Sequence, residues 1–242
     1  MALVAGVAIV TGGGSGIGAA TARLLAAGGA HVAVVDRDGD RAGAVAAAVG
    51  GRPLVEDVSE PAAWERIVGA VEQWWGPVTL AHLNAGVATT RYPFAVEDVT
   101  VEQYERIRGV NFDGVLLGVR RAVPSMVAAG GGAIVVTASV AGLVAFPDDP
   151  YYAATKHGVV GFVRSVAPQL AAQGVRINAV CPSATDTPIL DDERRALIAR
   201  EGRAMQPVDE VAVAVVGLLN AGGTGEAWTT KSGRPARRWD FA

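Results

Sequence analysis

Val7-Ala8-Ile9-Val10-Thr11-Gly12-Gly13-Gly14-Ser15-Gly16-Ile17-Gly18 decides the reading of this chain. Four consecutive apolar residues suit a strand buried on both faces, and the glycines that follow lead into Gly16 to Ala27, which has helical composition. A glycine-rich turn between a strand and a helix lets backbone N–H groups approach a pyrophosphate, whose charge the helix N-terminus favours. No Gly-Lys-Ser/Thr follows, so the turn is not a Walker-type phosphate loop. The apolar residues begin at Met1, but no positive residue precedes them and glycines interrupt them at once. Residues 1–10 therefore read as a strand rather than a leader peptide.

The same alternation continues outward. Strand-like runs occur at His31 to Val35, Pro53 to Val55, Val78 to Leu83, Ala133 to Val136, Val175 to Val180 and Ala227 to Thr230. Helical stretches lie between them at Arg41 to Val49, Pro61 to Trp75, Val101 to Ala128, Tyr151 to Ala172 and Val208 to Asn220. Such a pattern predicts an α/β fold: a doubly wound parallel sheet of about seven strands with helices on both faces. Ser59 before Glu60-Pro61 reads as a helix cap, Thr100 with Gln103 as a capping box, and Pro168 should kink its helix or end it early. No composition shift marks a linker, so residues 1–242 are expected to form one domain.

The chain has 242 residues, half of them apolar and 19% charged, which excludes disorder; its 31 glycines show no triplet period. Net charge is −3 and the only basic cluster is Arg234, Arg237 and Arg238, which argues against nucleic acid. No run approaches the roughly 20 apolar residues of a membrane span. Cys181 is the only cysteine and follows an apolar strand, so a buried structural thiol in a reducing, cytoplasmic setting is expected. His31, His82 and His157 lack metal-ligand spacing, so no metal is expected; Trp74-Trp75 reads as core packing.

Asp36 ends the second strand 18 residues after Gly18, where a carboxylate accepts from ribose hydroxyls and repels a 2′-phosphate. With Ser15 in the loop and only Arg37 nearby as a cation, NAD is favoured over NADP. Tyr152 and Lys156 are four apart and so share one helix face. An adjacent ammonium favours phenolate, so the Tyr152 pKa is expected to fall toward neutrality. Ser139 follows a buried strand at the sheet's carboxyl edge, where ligands bind in open α/β folds.

Together these residues resemble the short-chain dehydrogenase/reductase family, with its Rossmann-type, NAD(P)-binding fold, from about Val7 to Trp228. Thr11 to Gly18 matches the family's glycine motif, Tyr152 and Lys156 its Tyr-x-x-x-Lys, and Ser139 its serine thirteen residues earlier. Asn111 matches its helix asparagine, and Asp57-Val58 its adenine-contacting pair. The resemblance implies that Tyr152 exchanges a proton with the substrate oxygen, Ser139 holds that oxygen, Lys156 binds the nicotinamide ribose and Asn111 positions a relay water. It further implies cofactor contacts from Gly12, Ser15, Gly16, Ile17, Gly18, Asp36, Arg37, Asp57, Val58, Asn84, Ala85, Gly86, Tyr152, Lys156, Pro182, Ser183, Thr185 and Thr187.

Two departures stand out. Leu83 replaces the first asparagine of Asn-Asn-Ala-Gly, and Ser183 replaces the glycine after Pro182, beside the expected nicotinamide site. Residues 188–207 match the family's variable lid. Val140, Leu143, Val144, Phe146, Tyr151, Ile189 and Leu190 should form, with Ser139 and Tyr152, a mostly apolar pocket for a secondary alcohol or ketone. Apolar runs such as Val115 to Val119 and Val159 to Val163 on more than one helix face imply a homo-oligomer, a dimer or tetramer. An NADPH-dependent carbonyl reductase is the nearer alternative. A non-catalytic nucleotide-binding or redox-sensing protein is the other, and the complete Ser-Tyr-Lys-Asn set argues against it.

Overall fold

The computed structural model describes residues 5–220 and 222–241, so the expectation for Met1 to Val4 lies outside the described residues. Among the described residues eight strands form one sheet in the order β3-β2-β1-β4-β5-β6-β7-β8. They are β1 Val7–Thr11, β2 His31–Asp36, β3 Arg52–Val55, β4 Leu80–Leu83, β5 Gly132–Thr137, β6 Val175–Pro182, β7 Ala227–Lys231 and β8 Arg234–Arg238. The first seven are parallel and β8 is antiparallel to β7. β8 is the strand the sequence conceals: Arg-Pro-Ala-Arg-Arg has three arginines, a proline and no large apolar residue, as suits an exposed edge strand that discourages further pairing.

Every residue of β1 is buried, and its side chains alternate between two cores. Val7 and Ile9 join Trp64, Ile67 and Val71 of α3 (Pro61–Trp75) and Val119 and Met126 of α5 (Gly114–Ala128). Ala8 and Val10 join Leu25 of α1 (Gly16–Ala27), Ala42 and Ala46 of α2 (Gly39–Val49) and Val215 and Leu219 of α8 (Val208–Asn220). Each large aliphatic side chain buried this way contributes about 1.5–3 kcal/mol. Helices on both faces thus explain why the strand sequences are continuously apolar rather than alternating.

Two expected caps diverge. Thr100 and Gln103 form a reciprocal capping box on α4 (Val101–Arg108). Ser59, however, donates its hydroxyl to Asp57, and Glu60 occupies the cap position of α3 without a side-chain bond. The helix expected over 101–128 is broken by a wider π turn at Gly109–Asp113. Glycines bound that turn, and a Cβ at Gly114 would crowd Val58 at 3.1 Å, so the backbone there lies hard against the loop after β3. α6 (Pro150–Ala171) runs through Pro168 and ends one residue before the expected position. Trp74 and Trp75 are half-buried and pack against the α3 and α5 core as expected, while on their outer side His31 stacks on Trp75 and the Arg52 guanidinium lies over both indoles.

The strand order reverses between β1 and β4, and the carboxyl ends of the strands on either side border a crevice. In open α/β sheets that is where ligands bind.

Candidate active site

A cleft of about 790 Å³ opens along these strand ends. Its lining includes Gly12, Ser15, Gly16, Ile17, Asp36, Arg37, Asp57, Val58, Asn84, Ala85, Gly86, Ser139, Val140, Phe146, Tyr152, Lys156, Pro182, Ser183, Thr185, Thr187, Ile189 and Leu190. Gly18, Asn111, Leu143, Val144 and Tyr151 are not part of it.

At one end the chain offers an uncapped helix N-terminus. Asp38, Thr100, Asp149 and Asp191 cap α2, α4, α6 and α7 (Asp192–Arg200) through their side chains, whereas Ser15 makes no such bond on α1. Gly12 has φ +60° and Gly16 φ +53°, conformations costly for other residues; a Cβ on Gly12 would come within 3.0 Å of the Ala85 backbone. Gly18 packs against the turn itself, since its Cβ would fall 2.2 Å from the Gly12 carbonyl oxygen. The Asp36 carboxylate accepts from Gly14 N–H at 3.0 Å and Asp38 N–H at 3.1 Å, which anchors it at the end of β2. An open helix terminus, a side-chain-free turn and a fixed carboxylate fit the phosphates and ribose of a dinucleotide.

Further along, Asn84 bridges three strand ends. Its amide donates to Thr11 O at 3.0 Å, and its carbonyl accepts from the Thr137 hydroxyl at 3.0 Å. Lys156 Nζ donates to Thr137 O at 2.8 Å and lies 5.5 Å from the Tyr152 ring. Asn111, in the π turn, spends its side chain on the backbone of Val87, accepting at 2.8 Å and donating at 2.9 Å. Wide turns of this kind often occur at functional positions. Ser183 lies in the cleft wall with a non-positive φ, so the missing glycine imposes no backbone strain; its hydroxyl is 3.4 Å from the Gln206 amide.

The electrostatics correct one expectation. Tyr152 keeps some surface toward the cleft, yet desolvation pushes its phenol up to about 12, against the lowering by a hydrogen bond with Ser139. Burial pulls Lys156 down to about 8 for the same reason, since an ammonium loses its hydration. Without a ligand the phenol is therefore firmly protonated at neutral pH. Cys181 is buried, with its thiol pushed up to about 12, which leaves it inert as a nucleophile. Buried His82 is pulled down to about 3 and pairs through Nε2 with the Thr137 hydroxyl. Among the described residues no three His, Cys, Asp or Glu side chains gather as a metal site, and no helix is long and apolar enough to cross a membrane.

Tyr151 is turned away from the pocket expected for it. Its hydroxyl donates to Val96 O at 3.2 Å and its ring packs edge-on to Tyr104. Sequence reasoning also missed Thr89, Arg106, Asp149 and Arg194, which border or underlie the cleft. Only Asp149 carried a local signal, because Asp-Pro at a helix start reads as a cap followed by proline.

The short chain dehydrogenase family profile matches residues 6–197. Cyclohexanol dehydrogenase of Acinetobacter sp. (strain SE19) is 37% identical over 222 residues, 88% of this chain and 87% of its own. NADP-dependent (R)-specific alcohol dehydrogenase of Lentilactobacillus kefiri is 34% identical, covering 85% and 83%. The crystal structure of levodione reductase superimposes with a TM-score of 0.86 at 33% identity, over 94% of this chain and 96% of that one. With the profile spanning most of its length and relatives of this likeness, the chain belongs to the short chain dehydrogenase family of oxidoreductases.

Proposed function

We propose that the protein is an NAD-dependent dehydrogenase that interconverts a cyclic secondary alcohol and its ketone, using Ser139, Tyr152, Lys156 and Asn111. The observation that carries this reading is the convergence of Tyr152, Ser139 and Lys156 in one cleft with the uncapped glycine turn at its far end. A binding module has no need of such a proton path. The cyclic substrate class is supported by the likeness to a cyclohexanol dehydrogenase and by Val140, Phe146, Ile189 and Leu190 in the cleft wall.

Nicotinamide dinucleotide, when bound, supplies the hydride exchange and, in its oxidised form, a positive charge near the phenol. Asp36 accepts hydrogen bonds from ribose hydroxyls while its carboxylate already holds Gly14 and Asp38 in place. The Ser139 hydroxyl donates to the substrate oxygen. Tyr152 gives its proton to a carbonyl oxygen during reduction and accepts one from a hydroxyl during oxidation. Lys156, anchored on Thr137 O, adds a positive field along the same helix face. Asn111 holds Val87 and so keeps the floor of the proton path in place.

The adenosine end holds Arg37 and Arg41 beside Asp36, and Arg41 pairs with Asp38 at 3.1 Å, which leaves the Asp36 charge uncompensated by it. That arrangement favours NAD over NADP. A homo-oligomer is supported by half-buried Leu116, Leu117, Phe162 and Val166 and by exposed Val101 and Tyr104, an apolar surface shared by α4, α5 and α6. Sedimentation at micromolar concentration is expected to give a dimer or tetramer; a monomer would contradict it.

The test is the rate of reduced-cofactor formation from cyclohexanol and related cyclic alcohols, with NAD and NADP in parallel. Faster turnover with NAD supports the reading. Faster turnover with NADP overturns the cofactor choice, and none with either overturns the activity.

A further inference from the structure

Three segments that border the cleft converge on one carboxylate outside the Ser-Tyr-Lys-Asn set. Asp149 has no exposed surface. It accepts from Tyr152 N–H of α6 at 3.0 Å and from the Thr89 N–H and hydroxyl, in the loop after β4, at 3.2 and 2.6 Å. It also accepts from Arg194 Nη2 of the lid helix α7 at 3.0 Å. Asp38 on α2 shows what a helix cap alone requires: one bond to Arg41 N–H, on an exposed side chain with an exposed partner. Asp149 and Arg194 are both buried, and burying two charges is costly unless their geometry is well satisfied. Four donors satisfy Asp149. Arg194 still carries a buried Nε without a partner, while the chain continues from Thr89 to Val87 and so to Asn111. The pair thus joins the lid, the tetrad's asparagine and the turn that carries Tyr152.

We propose that Asp149 and Arg194 are a positioning pair that seats the lid helix on the N-terminal turn of α6, so that cleft closure and placement of the Tyr152 phenol occur together. This rests on Tyr152 being the proton-exchanging group. The groups that act on the phenol are Asp149, which caps α6, Lys156 within it, Ser139 from the segment after β5, Cys181 from β6 and Arg194 from α7. Among them the Asp149 charge raises the phenol's pKa and the Arg194 charge lowers it, so the intact pair holds the two effects in balance. A merely structural strut would weaken the fold when cut, without moving Tyr152 in a direction set by which charge was removed.

The experiment measures kcat/KM for the alcohol against pH at saturating NAD, where the phenol titrates in the cofactor-bound enzyme and not near the 12 of the free protein, together with hydrogen exchange across residues 192–200 in the free protein. Oxidation needs the phenol deprotonated, so activity rises with pH through its pKa. Arg194→Met leaves the Asp149 charge uncompensated, and the midpoint is expected to rise by about one pH unit. Asp149→Asn leaves the Arg194 cation and should lower it by a similar amount, whereas Arg194→Lys keeps the charge and should stay near wild type. Exchange across α7 should quicken in Arg194→Met and Asp149→Asn. Midpoints that do not move or that move together, or unchanged exchange in α7, overturn the proposal. If Asp149→Asn fails to fold, the contrast between Arg194→Met and Arg194→Lys decides it. Tyr152→Phe, assayed beside them, separates the two readings: persisting turnover refutes the role of Tyr152 itself. Lost turnover with unmoved Arg194 profiles refutes only the positioning pair.

Discussion

The turn at residues 11–18 and the lid at residues 188–207 both line the cleft, but they are held by different physics. The turn is fixed by backbone geometry: positive φ at Gly12 and Gly16, and Gly18 packed against the Gly12 carbonyl. Side chains from elsewhere only fasten its edges, Asp36 on Gly14 N–H and Asn84 on Thr11 O. Apart from a short backbone bridge between Thr185 and Gln206, the lid is held by side chains. Arg194 pairs with Asp149, Asp191 accepts from Tyr92 N–H, Arg195 reaches Asp186 and Thr187 O, and the Gln206 amide lies near Ser183, Thr185 and Thr230. A site built from backbone is written locally in the sequence. One built from side-chain pairs is written in two places that only the fold brings together.

Replacing Gly18 should break the first region most severely. In Gly18→Ala the new methyl meets main chain that cannot yield, so a loss of more than about 3 kcal/mol and of dinucleotide binding is expected. Chemical denaturation and cofactor titration measure both. Retained binding would mean that the turn can relax.

Lys156→Met probes the polar side and should act with the opposite sign on stability. The folded-state pKa of Lys156 lies near 8, below its ordinary 10.5, so burial penalises the ammonium fully below about pH 8. Between about 8 and 10.5 the unfolded chain binds more protons, and wild-type stability rises with pH. Lys156→Met is therefore expected to be stabilised by roughly 2 kcal/mol below pH 8. That gain should shrink above pH 8, and turnover should be lost. Thermal melts across pH check the sign.

Asp36→Ala sharpens the comparison at the boundary between backbone and side chain. The glycine conformations stay, but Gly14 N–H loses its acceptor along with the ribose, so NAD affinity should fall about tenfold and the NAD/NADP preference should narrow. The smallest effect belongs to a glycine with no special task. Gly43, inside α2, has nothing within 4 Å of an added Cβ, so Gly43→Ala should stabilise by about 0.5–1 kcal/mol without touching either region.

The same contrast explains what the sequence made legible. α1, α3 and α8 begin and end where their apolar spacing, glycines and proline place them, and the Thr100 capping box forms as expected. β8 escaped because an exposed edge strand of arginines carries no hydrophobic alternation. The π turn escaped because a single wide turn leaves helical periodicity intact on either side. Asp149 and Arg194 lie 45 residues apart, and nothing at either position announces the other. The Tyr152 to Lys156 spacing put both groups on one face, but spacing carries no information about desolvation, which in the free protein outweighs the lowering by the Ser139 hydrogen bond and the Arg194 charge.

On this account the Tyr152 phenol exchanges the proton, while the glycine turn and the Asp36 carboxylate hold the cofactor without it. Tyr152→Phe, assayed for oxidation of a cyclic secondary alcohol and titrated with NAD, tests it most directly. Turnover should fall by at least about a hundredfold, the usual scale of a lost general acid–base, while NAD affinity stays within a few-fold of wild type. Turnover close to wild type would contradict the account.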